Sequence, residues 1–222
     1  MNGTLLALGT PVATLDIPSI GVHETVLEGT TAGVLVGGPG HLRSSYLPGQ
    51  NGTSVIMGRK AAFGGPFERI ATLKAGQLIT ATTGQGASVY KVTSIRRAGD
   101  PLPGLLPAGQ GRLTLVTAAG PPYLPSGAVR VDAERVSAGF ATPSLVLGPT
   151  ALSGTEQAMA SDVSAWIRLV FWAQGLLIAA LLLTWAWLRW GRWQAWVVGV
   201  PVLLLFGLAV AGQAALLFPN LM

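Results

Sequence analysis

Hydrophobic and polar positions alternate in short steps along the first part of the chain and merge into two long apolar blocks near its end. From Val12 to about Val136, short β-branched or apolar runs (VATLDI, HETVLEG, SVIMG, QLITATT, SVYKVTSI, RLTLVTA and AVRVDAERV) are separated by turn signals such as PGQNG and TTGQG. Strand-length runs at this spacing predict a small all-β barrel or sandwich. A stretch of about 125 residues is long enough to bury a core of its own. One short helix is expected at PFERIATL, where Pro66 suits a first turn and Phe67, Ile70 and Leu73 share a face.

The apolar blocks follow a different rule. Between Arg168 and Arg189 lie twenty uncharged residues, and between Arg192 and Pro219 twenty-six more. At about 1.5 Å per residue each crosses a hydrocarbon core of roughly 30 Å as a helix. We therefore expect transmembrane helices over 165–189 and 194–218, joined by a short turn at 190–193. The connector RWGRW carries its two charges as arginine, which places the Arg189–Arg192 loop in the cytoplasm and the β domain outside the cell membrane. Five tryptophans cluster at that end and two at the other, as interfacial belts do. Gln174 and Gln213 each lie five residues inside the outer end of a span. They are expected to share a depth and to hydrogen-bond to each other or to a partner helix, at about 1 kcal/mol. Gly207, Ala211 and Ala215 allow close helix approach, and Pro201 is expected to kink the second helix.

Residues 137–164, rich in Gly, Ala, Ser, Thr and Pro, read as a flexible linker that holds the β domain off the bilayer. Residues 1–11 form an N-terminal segment whose apolar run has no basic residue before it, so it is neither a signal peptide nor a span. An exported domain needs an export signal, so either the true start lies upstream of Met1 or export takes another route.

Composition sharpens this division. All nine acidic residues fall between Asp16 and Asp162 and all seven tryptophans between Trp166 and Trp196. The net charge of +5 splits into +2 before residue 166 and +3 after it. No basic stripe with interleaved aromatics appears, which argues against nucleic acid. The chain has no cysteine. That excludes disulfides, thiolate metal sites and a cysteine nucleophile.

Read in order, LDIPSIGV, VLEGTT, GGPGHLRSSYLPGQNGTSVIMGRKAAFGGPFERIATLKAGQLI, VYKV, LTLVTA and AVRVDAERV resemble the sortases, the cell-surface transpeptidases of Gram-positive bacteria, and most closely class E. The resemblance covers residues 12–136. It implies an eight-stranded closed β-barrel, here followed by two transmembrane helices, with a groove for an extended peptide sorting signal. It also implies a chemistry in which a cysteine attacks the Thr–Gly amide of the signal, a histidine protonates the departing amine, and an arginine stabilises the oxyanion.

Each of those positions is altered. The family's T-L-x-T-C strand reads Thr114-Leu115-Val116-Thr117-Ala118, so a methyl group stands at the nucleophile's place. The G-H-R turn reads Gly58-Arg59-Lys60, and a guanidinium cannot give up a proton near neutral pH. On the last strand Ala128 falls at the arginine's place, and Arg130, two residues on, faces the same side. The expectation is a natural pseudoenzyme: a binding or scaffolding module for a peptide, a cell-wall precursor or another membrane protein, without cofactor or metal. Arg59, Lys60 and Arg130 would make its groove cationic, suited to a carboxylate or phosphate. The alternatives are a cysteine-independent transpeptidase or hydrolase and a structural membrane subunit.

Other chemistry is thin. His41 with Ser44 and Ser45 could suggest a serine hydrolase, but proximity in sequence supplies neither an orienting acid nor an oxyanion hole, and His41 is expected to cap a loop while lying near the groove. His23 and Glu24 point to opposite faces of a strand, which disfavours a metal cluster with Glu28. Thr117 has no base beside it.

Overall fold

The computed structural model describes residues 5–162, 165–190 and 192–222. They make two units: the chain up to Ala160 together with Pro219–Met222, and the stretch Ser161–Phe218 between them.

In the first unit eight strands close a barrel: β1 (Pro11–Ile17), β2 (Val22–Glu28), β3 (Gly40–His41), β4 (Gly52–Met57), β5 (Leu78–Thr83), β6 (Gly86–Arg96), β7 (Gly111–Ala118) and β8 (Ala128–Arg135). Their order around it is β1-β2-β3-β4-β7-β8-β6-β5. Closure leaves no open edge of unpaired backbone. Seven of the strands lie on the seven alternating runs of the sequence; β3, at two residues, carries no periodicity to read. Period-two alternation sends Ile17, Ile56, Ile79, Leu113, Leu115 and Val131 inward, where all are fully buried.

β7 differs from the others, being buried at every position. It lies between β4, which it pairs in parallel, and β8, antiparallel. Its inward residues join the core, while Val116 and Ala118 on the outer face join a second buried cluster with Leu35, Met57 and Ala128. Covered on both faces, the strand still carries Arg112 and Thr114 on its outer face, where their polar atoms find Gly104 and Asp132.

Two expectations are corrected here. PFERIATL makes one 3-10 turn, Ile70–Thr72, preceded by hydrogen-bonded turns, although Phe67, Ile70 and Leu73 do face the core. Eight residues are too few to nucleate a helix when no side chain caps the start. Residues 137–160 are not a loose spacer. Phe140 donates its N–H to the Gly49 carbonyl (2.9 Å), and its ring lies where a Cβ on Gly49 would stand. Farther on, the wholly buried Glu156 accepts from Arg43 Nε and Nη2 at 2.8 and 2.9 Å. Composition signalled flexibility, but single long-range contacts hold the segment down.

The second unit is a helical hairpin, α1 (Ala165–Trp190) and α2 (Arg192–Leu217), both long and apolar enough to cross a membrane. Trp172 meets Phe206 edge to face with centroids 5.8 Å apart, Gly175 packs on Phe206, and Gly199 on Leu183. This register sets Gln174 opposite Gly207 or Leu208, and Gln213 opposite Arg168 or Leu169. The two glutamines therefore stand about six residues, or roughly 9 Å, apart in depth. Their expected mutual hydrogen bond is absent among the described residues: Gln174 is exposed, and the buried Gln213 Oε1 has no partner.

Candidate functional site

The parallel β4–β7 ladder builds one corner of the barrel. Met57 pairs with Val116 and Gly58 donates its N–H to the Val116 carbonyl (3.0 Å), so Arg59 and Ala118 each follow on the end of this ladder. On the other flank Ala118 is the direct partner of Ala128 across β7–β8. Thus the three positions where the sequence departs from its resemblance, 59, 118 and 128, converge. Gly58 is required here by packing, because a Cβ would stand 2.5 Å from the Phe67 ring.

Arg59 turns into the protein rather than out to a ligand. It is only 1% exposed and donates three hydrogen bonds, all to carbonyls: Nε to Leu35 (3.2 Å), Nη2 to Ala32 (2.9 Å) and Nη1 to Met222 (3.2 Å). Its guanidinium carbon lies 4.9 Å from the centre of the Phe63 ring, and Phe63 adopts a left-handed backbone conformation (φ 52°). Burial holds the pKa of this cation below its ordinary value. With each of its three nitrogens donating to a carbonyl, Arg59 acts as a structural clasp. The neighbouring Lys60 bridges the same corner, its ammonium donating to the Gly120 carbonyl just beyond β7.

The outer faces of β4, β7 and β8 line a cleft of about 630 Å³ leading away from this corner. Arg96, Arg97, Arg112 and Arg130 border it together with Asp100, and Asp132 lies behind Arg96, paired with it. Asp132 is wholly buried. Burial pushes its carboxyl pKa up, but hydrogen bonds from Arg96 and Thr114 and the charges of Arg96 and Arg112 outweigh this and hold it below the ordinary value. Arg112 stands 3.6 Å from Glu134. Arg130 pairs with Val116 on the ladder, is half-buried at the cleft, and has no hydrogen-bond or ion-pair partner among the described residues.

His41 lies elsewhere, beside a second cleft of about 290 Å³ lined by Leu5, Leu6, Arg43 and Leu145 among others. The acid that sequence proximity did not offer comes from β2–β3 pairing, which sets Glu28 against His41. His41 Nδ1 lies 3.0 Å from Glu28 Oε2, and Nε2 lies 2.9 Å from the Tyr46 carbonyl and 3.2 Å from Ser45 Oγ. Serine, histidine and acid are therefore in line, yet the serine is committed. Ser45 Oγ donates to the Leu42 carbonyl (2.7 Å) and accepts from the Val55 N–H (3.0 Å). The Tyr46 carbonyl can only accept, so Nε2 carries a proton toward it and cannot take one from Ser45. His41 ties the loop after β3 to Glu28. His23 is exposed, 3.9 Å from Asp16.

What the sequence did not reveal is the segment Pro219–Met222, which packs with the barrel at the Ala118 corner. Its one signal is that Pro219 and Asn220 break the apolar block and two apolar residues then follow.

Comparison with known proteins agrees with this geometry. The family model described as the sortase domain matches residues 15–135. Sortase D of Bacillus subtilis strain 168 is 30% identical over 82 residues, which are 37% of this chain and 40% of that protein. The chain thus spans well under half the length of this curated relative. Among solved structures, sortase E from Streptomyces avermitilis is 29% identical with a TM-score of 0.51, covering 60% of this chain and 91% of that one. The sortase D5 transpeptidase of Clostridium perfringens is 26% identical with a TM-score of 0.50, covering 60% and 83%.

Proposed function

The chain belongs to the sortase family, and on that premise we propose that it is a catalytically inactive member, a pseudosortase anchored by its helical hairpin. In this reading the barrel faces outward at the bacterial cell surface and works as a binding or scaffolding module. The observation that carries the reading is the Ala118 corner. A chain without cysteine has a methyl group where the family's strand ends in its nucleophile, beside an arginine already committed to three carbonyls. Thioacyl chemistry needs a thiolate and a proton donor, and neither residue type stands there.

The hydroxyls nearby do not substitute. Thr117 Oγ1 is buried and donates to the Gly58 carbonyl, and Ser45 is committed as described. For binding, the cleft leading from the corner retains a surplus of arginine over aspartate, and Arg130 has a free guanidinium. That chemistry suits the carboxylate or phosphate of a peptide, a cell-wall precursor or a neighbouring membrane protein. Family members act on peptides, which makes an acidic peptide the first ligand to try.

The test is incubation of the full chain, in detergent or nanodiscs, with sorting-signal peptides and an amine acceptor. No cleavage or transfer is expected. Turnover that a single substitution within the chain abolishes would overturn the reading in favour of a cysteine-independent enzyme.

A further inference from the structure

We propose that the Ala118 corner is a peptide-binding site whose ligand is the chain's own Pro219–Met222 segment, so that the family's reaction site is closed in cis. This goes beyond the reading above and stands on contacts alone, whether or not Arg130 binds a partner.

The segment is held as a bound peptide is held, by backbone, amide and apolar recognition together. Lys60, in the turn after β4, donates its N–H to the Leu221 carbonyl (2.9 Å), and Arg59 Nη1 donates to the Met222 carbonyl (3.2 Å). Asn220 reads two further loop segments of the chain: its Nδ2 donates to the Thr30 and Gln157 carbonyls (2.8 and 2.9 Å), while its own N–H donates to the Ala160 carbonyl (2.8 Å). Leu221 is wholly buried in one cluster with Leu35, Met57, Val116, Ala118 and Ala128, and Met222 is 4% exposed. A leucine from about a hundred residues away thus shares the buried cluster that covers Ala118, in the ground a substrate would need in order to reach position 118.

Two features make this an intramolecular ligand rather than ordinary core. The segment touches the barrel only after the chain has left it at Ala160 and passed through both helices. Two spans return the chain to the side of the bilayer it left, so the tether supplies Pro219–Met222 at high effective concentration. The site is also fitted to it in polar detail. Without the segment, the buried Arg59 Nη1 and the Thr30 carbonyl lose the hydrogen-bond partners they have among the described residues.

The absence of native cysteine makes the site directly readable. In the full chain carrying Ala118→Cys, reconstituted in nanodiscs, maleimide should label the introduced thiol slowly. Deleting Pro219–Met222, or changing Leu221→Asp, should speed labelling by about tenfold or more, since a shielded group reacts only through local opening. Added Pro-Asn-Leu-Met peptide should slow the deleted chain again. A Lys74→Cys control, exposed in the barrel, should label alike in all backgrounds. Equal labelling of the introduced thiol with and without the segment overturns the proposal. Should deletion lower the melting temperature enough to cloud the rates, an intact chain with Ala118→Cys and Leu221→Cys provides the second measure. Mild oxidation should close an intramolecular disulfide, and failure to form one overturns the proposal equally. Turnover of sorting-signal peptides would defeat the inactivity reading while leaving these labelling rates as they are.

Discussion

The Thr117 hydroxyl donates to the Gly58 carbonyl at 2.9 Å, joining the last turn of β7 to the turn that follows β4. Both groups are buried, so this bond fastens together the residues that precede Arg59 and Ala118, independently of any reaction. Thr117→Val keeps the shape and removes the donor, leaving a buried carbonyl unpaired. The expected cost is about 1–3 kcal/mol, measured as a lower midpoint in chemical denaturation of the full chain in detergent. An unchanged midpoint would mean that the corner does not depend on this bond.

Restoring two residues does not restore the site. Ala118→Cys with Arg59→His returns the family's residue types, but the shorter imidazole cannot satisfy the carbonyls of Ala32, Leu35 and Met222 together. On the pseudosortase reading position 128 also stays alanine and offers the oxyanion no donor. The double variant is expected to yield no transpeptidation of a sorting-signal peptide and to melt at a lower temperature than the parent. Product formation above the parent's background would show that the corner remains a latent enzyme.

How far the sequence speaks depends on the range of the interaction. Seven strands were legible because alternation is local and period two survives without tertiary information. The β4–β7 corner was legible because its residues stand in an ordered motif series. The direction of the Arg59 side chain was not, since it is set by carbonyls at positions 32, 35 and 222. The Glu28 partner of His41 depends on the β2–β3 register, and the docking of residues 137–160 depends on scattered long-range contacts such as Phe140 with Gly49 and Arg43 with Glu156. The depth of Gln213 was misread by counting from the outer ends, because the hairpin register is fixed nearer the turn by Gly199 on Leu183.

Acid should loosen the barrel through Asp132. Its carboxyl is held below the ordinary value of 3.8, so the folded state keeps it ionised longer than the unfolded chain does. The stabilisation is therefore complete above that value and is lost as pH falls through the lowered folded value. Melting temperature followed from about pH 6 to about pH 3 should fall along an acid limb. Asp132→Asn should be less stable near neutrality and should show a flatter limb; a parallel fall in both proteins would assign the acid sensitivity to other carboxylates.

In the hairpin, Gln213 Oε1 is buried without a hydrogen-bond partner, and Gln174 is too far along the axis to reach it. Removing an unsatisfied polar group from a lipid-facing helix pair relieves a cost rather than breaking a bond. Gln213→Leu should leave hairpin stability unchanged or raise it by up to about 1 kcal/mol, read from steric-trap or thermal unfolding in bilayers. Destabilisation by a similar amount would show that another molecule supplies the missing donor in the membrane.

The cleft makes the sharpest demand on Arg130, because Arg96 and Arg112 already face carboxylates while Arg130 lines the cleft with no ion-pair partner among the described residues. An acidic peptide drawn into the cleft gains most from the guanidinium that has no internal partner, since that pairing sacrifices no existing bond. Arg130→Glu reverses that charge two residues from the buried Asp132 and directly opposite Arg96 on the β6–β8 ladder, so its melting temperature is read beside the affinity. Affinity for a fluorescently labelled acidic peptide, measured by anisotropy at low salt, should weaken by about tenfold, and the residual binding should depend less on ionic strength. Lys74→Glu, on the exposed side of the turn before β5, serves as the matched change of net charge and should leave affinity nearly unaltered. Equal weakening by both variants would reduce the effect to the overall field of a cationic domain, whereas a loss confined to Arg130→Glu assigns recognition to the cleft.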